Sequence, residues 1–531
     1  MKTRTMGVTL LLGASAIALA GAAYAAGGGS KSCGKRSNNN IEKITECVTL
    51  EGVRAHQAAF QKHADENGGN RAAGFPGYDA SVQYVVDTLT AAGYDPVVQP
   101  FDFIIFSEVT DAELSQTAPD AKDYAYLEDF FIMSYSGSGD VTAPVTGVDL
   151  SIDNPAASTS GCEAEDFAGF PAGNIALMQR GACTFALKAE NAAAAGAVGA
   201  IIFNQGTDGR TDLFGGTLSD TFTLDLPVVS MPFALGAELA QTEGLELSLT
   251  TDTLREPFTT VNVLAETTYG DPSNVVMVGA HLDSVDEGPG VQDNGSGSAA
   301  ILEVAVQIAK AEVENKVRFA WWGAEESGLV GSTFYVDDLV DQFRAGTSDE
   351  IFNIAMYLNF DMIGSPNYVF KIYDGDDSDA TGAGPGPAGS AEIEQFFEAF
   401  YEAKGEPYKG TDFSGRSDYN RFIFYGIPAG GLFTGAEEVK TEEEAAIWGG
   451  TAGEQLDPCY HEACDTFDNI SLKALDINSD AAAASTLFYA MNTSDINGVA
   501  SEKGNFVSAD KALSKVGAMK NMDMLGTKWA K

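Results

Sequence analysis

The sequence predicts an α/β fold, a mixed central β-sheet flanked by helices, with a small β-rich domain inserted into it. Three observations carry that prediction. Apolar runs that read as buried strands occur at Val275–Val278, Val317–Trp322 and Ala355–Phe360, and a helical pattern follows the first of them from Ser298. Each run ends in polar or acidic residues: His281 and Asp283, then Asp293 and Asn294, after the first; Glu325 and Glu326 after the second; Asp361 after the third. Between residues 124 and 255 the pattern changes to short strands and Gly/Ala-rich turns. In open α/β sheets sites form outside the carboxyl ends of the strands, which is where the polar groups fall here.

In chain order, residues 1–25 have the parts of a secretory signal: Lys2 and Arg4, an apolar stretch from Val8 to Leu19, and Ala23-Tyr24-Ala25 as an A-x-A site. No other run approaches the ~18 apolar residues of a membrane span, so the expectation is an exported chain without one. Residues 26–47 are expected to be a flexible segment, Gly/Ser/Asn-rich from Gly27 to Asn40. Residues 48–123 open the main domain with a helix over Val48–Asn67, a second over Tyr78–Ala92 ending at Gly93, and a strand over Val97–Ile105. His56 and His63 lie on one face of the first helix and read as packing or surface residues, since no carboxylate motif accompanies them. Residues 124–255 form the insert, and the main domain resumes over 256–497. Within it, the loop Asp374–Ser390 fails as an EF-hand because its sixth position is Asp379 and its twelfth Pro385, so a surface loop is expected, with loose calcium binding as the alternative. Ala391–Lys404 is an amphipathic helix with Ile393, Phe396, Phe397 and Phe400 on one face. Residues 498–531 form a tail, basic from Ser501 onward.

Net charge is 31 − 76 = −45, which argues against partners such as nucleic acid or an anionic membrane surface. Six Cys in an exported chain suggest three disulfides. Pairing by neighbours gives Cys33–Cys47, Cys162–Cys183 and Cys459–Cys464, although six Cys allow about fifteen arrangements. No C-x-x-C pair is present, which disfavours a Cys-based zinc site.

Carboxylates beside apolar strands are costly unless a cation or hydrogen bonds satisfy them. Two of the four His of the chain, His281 and His461, fall in the carboxylate-bearing stretches. The motifs AHLDS, DNGSG, WGAEE, NFDMIG, GRSDY, GIPAGGLFTGAE and CYHEACDT follow in order between about Leu50 and Asn497. Together they resemble the M28 family of zinc aminopeptidases, in particular its secreted bacterial leucine-type members. That resemblance implies two Zn2+ per chain: His281 and Asp361 on one, Glu326 and His461 on the other, and Asp293 bridging them. It implies Glu325 as general base, Tyr460 as hydrogen-bond donor to the oxyanion, and Asp283 as the group that orients His281. The insert, through Gly173–Gly181, Cys183-Thr184-Phe185, Lys188 and Gly199–Asn204, resembles the protease-associated (PA) domain and carries no cluster suited to chemistry.

By the same resemblance, Met362, Phe413, Gly415, Phe433, Cys459 and Tyr460 border an apolar pocket for the substrate's first residue, and the Arg416 carbonyl receives its amine. The implied partners are peptides with a free N-terminus, cleaved by a monomer with a preference for Leu, Phe or Met. Two neighbouring readings, a single-zinc glutaminyl-cyclase-like acyltransferase and an inactive binding protein, fit the complete ligand set and Glu325 less well.

Overall fold

The computed structural model describes residues 33–499 apart from positions 208, 220, 381 and 383; the expected signal peptide and all but the start of the basic tail lie outside the described residues. The described chain does not begin with a loose segment. Ile41–Cys47 is a helix (α1), capped by the Asn40 side chain, which accepts from the Lys43 N–H at 2.9 Å. Ile41, Ile44 and Cys47 are buried, and a disulfide ties Cys47 to Cys33. The flexible segment expected over 26–47 is therefore corrected for 41–47: its Ser/Asn-rich flank obscured a short apolar face and its cap. Leu50–Glu66 (α2) and Pro76–Ala92 (α3) follow. Pro76 sits in the first turn of α3, and Gly93 takes the left-handed C-cap conformation at φ 102°. Val97–Ala118 (β1) then runs well past the expected end at Ile105.

The insert is built from the strands Gly139–Gly147 (β2), Ile175–Gln179 (β3), Gly199–Phe203 (β4) and Val228–Met231 (β5), with the helix Phe185–Ala194 (α4) between β3 and β4. β2, β3, β4 and β5 pair in parallel in that order. The chain returns through Glu246–Glu266 (β6), which pairs antiparallel with β1 from Val97↔Leu264 to Ala118↔Glu246. One end of β6 joins the insert through β2, and the other joins the main sheet. This two-stranded ribbon thus crosses the expected end of the insert at residue 255, through β6, while β1 stops at Ala118, short of its expected start.

The main domain continues with Asp271–His281 (β7), Gly295–Ile308 (α5), Asn315–Trp322 (β8), Val330–Arg344 (α6), Ile354–Phe360 (β9), Ser390–Lys404 (α7), Ala429–Phe433 (β10) and Leu472–Met491 (α8). The order β10-β9-β7-β8 is parallel throughout, and β8 meets β6 antiparallel. Alternate residues of β7 enter two different cores. Val276 and Val278 pack with α2, α3, α5 and α8, whereas Val275 and Met277 pack with α6 and Phe422. A parallel strand covered on both faces reads as a continuous apolar run. α5 starts directly on the end of β9: a Cβ at Gly297 would collide with the Phe360 carbonyl. That contact places the start of α5 against the carboxyl end of the sheet.

Candidate metal centre and active site

His281 is the last residue of β7. Its ring Nδ1 is 3.1 Å from the Asp283 backbone carbonyl, while the Asp283 carboxylate stands 3.7 Å away. That carboxylate instead accepts the backbone N–H groups of Glu325 and Glu326, each at 3.2 Å. The Asp283 side chain, expected to orient His281, thus stands near its ring and also holds the backbone of the two glutamates, while the Asp283 carbonyl is the nearer partner of Nδ1. Asp293 precedes α5, and Asn294 caps that helix by accepting the Gly297 N–H at 2.9 Å. Asn294 also accepts from Met362 N at 3.2 Å and donates to the Phe360 carbonyl at 2.9 Å, joining Asp293 to the Asp361 loop. His461 lies in the turn closed by Cys459–Cys464; all three neighbour disulfides form.

These side chains converge. His281 Nε2 lies 3.2 Å from Asp293 Oδ1 and 3.3 Å from Asp361 Oδ1. His461 Nε2 lies 3.4 Å from the other oxygen, Asp293 Oδ2, and 3.0 Å from Glu326 Oε2. Glu325 Oε2 is 4.0 Å from His281 Nε2. Asp293 therefore faces two imidazoles with its two oxygens, and each imidazole has one further carboxylate of its own.

The donor set fits divalent cations. Four carboxylates with little access to water face only two imidazoles, a balance unfavourable without added positive charge. Glu326 Oε1, Asp361 Oδ1 and His461 Nε2 are buried atoms without a hydrogen bond, and nitrogen and oxygen donors of this kind suit zinc. The protonation equilibria agree. Burial lowers the basicity of both imidazoles, yet Glu325 and Asp361 hold His281 well above its ordinary value, and Glu326 and Asp293 push His461 up to about 11. Burial raises Glu325 and Glu326, and their neighbouring carboxylates raise them further. The cluster draws in positive charge from every side.

Residues without an assigned role in the sequence hold this set in place. Ser417 donates to Asp361 Oδ2 at 2.5 Å and accepts from Asn359 at 2.8 Å. Asp465 accepts the N–H groups of Gln292 and Asp293, both at 2.9 Å. Ser417 and Asp465 stand inside motifs quoted above, GRSDY and CYHEACDT, but their partners are remote in sequence. Arg71 had no signal at all. It is fully buried and donates to the carbonyls of Leu282, Pro289 and Gly290, fixing the loop between His281 and Asp293. Ala324, Met362 and His461 adopt left-handed φ of 55°, 50° and 57°, at a cost of about 1–3 kcal/mol each that the surrounding contacts must offset.

A cavity of about 220 Å3 opens beside the donors, lined by Met362, Tyr373, Phe433 and Tyr460 among others. Phe413, Gly415 and Cys459, expected at its border, lie outside the lining. Phe413 stands behind Tyr373, stacked on it at 5.3 Å; Gly415 donates to the Tyr419 hydroxyl; and Cys459 is held in its own turn by Asp457. The cavity is not purely apolar: Asp412, Glu437 and Glu438 also line it. Arg416 pairs with Glu437 at 2.5 Å and reaches the Tyr460 hydroxyl at 3.3 Å, and Lys371 pairs with Glu438 at 2.5 Å. Away from the centre, His56 is buried against Glu303 at 3.2 Å and Tyr84 at 2.8 Å. It does have a carboxylate partner, supplied by α5 rather than by a local motif.

The family match and the curated relatives assign this fold and donor cluster to the metallo-aminopeptidases, hydrolases of peptide bonds. Residues 262–486 match the family model of Peptidase family M28, and residues 141–239 match the PA domain, inside the insert. An aminopeptidase of Pseudomonas aeruginosa is 52% identical over 451 residues, covering 85% of this chain and 82% of its own length. Leucine aminopeptidase 2 of Trichophyton equinum is 40% identical over 444 residues, covering 83% of each. Among solved structures, the aminopeptidase from Aneurinibacillus sp. strain AM-1 is 27% identical with a TM-score of 0.64, covering 84% of this chain and 95% of that one. The chain belongs to peptidase family M28 and carries a PA domain.

Proposed function

We propose that the chain removes the N-terminal residue from peptides using two zinc ions, and that it prefers large apolar first residues. The observation that carries this reading is the position of Asp293, whose two oxygens face His281 and His461 separately. His281, Asp293 and Asp361 would hold one zinc; Asp293, Glu326 and His461 would hold the other. Bound zinc supplies a Lewis acid for the scissile carbonyl and lowers the pKa of water toward neutrality.

The protein's own groups do the rest. Glu325, less closely placed to an imidazole than the other three carboxylates, takes the proton of the attacking water and passes it to the leaving amine. Burial, with Asp293 and Glu326 nearby, raises the Tyr460 phenol, so its hydroxyl keeps the proton it donates to the developing oxyanion. Glu325, Asp361 and the Arg416 carbonyl receive the free α-ammonium, and an acetylated N-terminus forfeits that contact. Arg416 and Lys371 neutralise Glu437 and Glu438, which leaves Met362, Tyr373 and Phe433 as the surface for a side chain. Burying Leu, Phe or Met there gains about 25 cal/mol per Å2.

We place the protein outside the cytoplasm as a monomer. Residues 1–25 support export, as do the three disulfides. Among the described residues no helix is long and apolar enough to cross a membrane. The test is turnover of a panel of aminoacyl-anilides with and without chelator, with metal counted on the purified protein. Loss on chelation, recovery with zinc, and fastest turnover of Leu, Phe and Met are expected. Fewer than two metals per chain with activity intact would overturn the two-zinc reading.

A further inference from the structure

A second cavity, of about 780 Å3, lies between the PA insert and the peptidase domain. It adjoins the centre: Glu326 lines both cavities, and His461 lines this one. The insert side includes Tyr135 and the Gly215–Thr217 loop. Tyr135 donates its hydroxyl to the Ser327 carbonyl at 2.9 Å, so this wall is fastened directly to the loop that carries Glu325 and Glu326.

The lining has two characters. Phe75, Leu254 and Phe258 expose large apolar side chains into the cleft, and such surface grouped in one concavity marks a binding site. Asp286, Glu287 and Glu256 add acidic groups, with Glu287 pushed up to about 7 by burial and by its hydrogen bond to Asp286, and no lysine or arginine is among the described residues that line it. Arg255, beside Glu256 in β6, turns away to Asp225 and to the carbonyls of Phe222 and Leu224.

We infer that this cleft binds the part of the peptide on the leaving side of the scissile bond, and that it favours a basic residue there. The inference rests on the aminopeptidase reading above. The first residue occupies the smaller cavity beyond Glu325, so the rest of an extended chain leaves past Glu326 and His461, where the cleft opens. A Lys or Arg side chain suits both characters: its methylene stem lies on Phe75 and Phe258 while its charge meets the carboxylates. The insert then acts as one wall of the substrate site and discriminates by charge.

The test compares Leu-Lys-Ala with Leu-Glu-Ala, with Leu-anilide as a substrate that lacks downstream residues. The wild type is expected to favour the Lys peptide in kcat/KM by about three- to tenfold, mostly through KM, since a few half-exposed charge pairs supply no more. The preference should shrink at high salt. E256K, and separately D286N/E287Q, should bring the ratio to one or below it. Equal kcat/KM for the two tripeptides, or a ratio unmoved in both variants, overturns the cleft assignment while turnover of Leu-anilide leaves the aminopeptidase reading standing. Failure on all three substrates, with zinc bound, overturns that reading and the cleft assignment with it.

Discussion

Glu325 and Glu326 are adjacent, yet their surroundings assign them different work, and replacing each by Gln separates the two. Glu326 Oε2 is 3.0 Å from His461 Nε2, whereas Glu325 Oε2 stands 4.0 Å from His281 Nε2, behind Asp293 and Asp361 at 3.2 and 3.3 Å. Glu325→Gln keeps the shape of the side chain and the backbone N–H bond to Asp283, and it touches none of the five metal donors. It should lower kcat by about 10²–10⁴-fold, the size of a general-base effect, or about 3–5 kcal/mol of barrier. Zinc content should equal that of the parent, and Glu326→Gln should lose the second ion. A further readout does not depend on activity. In the metal-free protein, burial first and then Glu326, Asp361 and Asp418 raise the Glu325 carboxyl above its ordinary 4.5. A folded-state pKa above the unfolded value means that stability is complete at low pH and is lost as pH rises toward the folded pKa. Chelated Glu325→Gln should therefore melt higher than the chelated parent at neutral pH, and the gap should close below about pH 4.5. Kinetics, metal analysis and thermal melts from pH 4 to 8 decide it; similar minor losses from both variants, with no rise in the metal-free melt, would refute the division of labour.

Two more outcomes follow from the supports of the centre. Asp465→Asn leaves one of the Gln292 and Asp293 N–H groups without its carboxylate acceptor, and should weaken zinc binding about 10–100-fold in a chelator-competition titration; an unchanged affinity would contradict the role given to Asp465. Cys459→Ser with Cys464→Ser opens a loop of sequence separation 5, so its chain-entropy contribution is below about 3 kcal/mol, and kcat should suffer more than thermal stability because Tyr460 and His461 lie inside that loop. Full kcat in the double variant would show that the turn is held by other contacts.

The legible part of this protein was the part in which costly residues sit beside apolar strands. His281, Asp293, Glu325, Glu326, Asp361 and His461 stood out because carboxylates and rare histidines at strand ends need a reason to be there, and the ordered motifs supplied it. Ser417 and Asp465 stood in plain view without a role, since a hydroxyl or carboxylate that serves a residue 56 or 172 positions away leaves no local pattern. Arg71 was invisible for the same reason: its partners are backbone carbonyls, which every sequence contains. Phe413 meets the cavity only through Tyr373, a residue of the three-residue strand Lys371–Tyr373 that lines the cavity and stacks on the Phe413 ring. The strand β6 runs from Glu246 to Glu266, past the change of composition at residue 255, because its pairing with β1 carries on into the main sheet.

That ribbon of β1 and β6 also acts as a ruler. Each residue pair along it sets the insert about 3.4 Å farther from the peptidase sheet, and each single step turns the side chains to the opposite face. Ile105 faces Glu256 and Phe103 faces Phe258 in its register, and Tyr135 must arrive at the height of the Ser327 carbonyl. The ribbon can therefore change length only by pairs of residues removed from both strands together. Even that change would carry Tyr135 about 7 Å past its partner. Drift in the length of these two strands is thus coupled to the site although neither supplies a donor to the metal centre. Conversely, because the two strands pair without interruption from Val97↔Leu264 to Glu108↔Thr253, a tight turn could close the ribbon within that stretch and leave the peptidase sheet with its order intact.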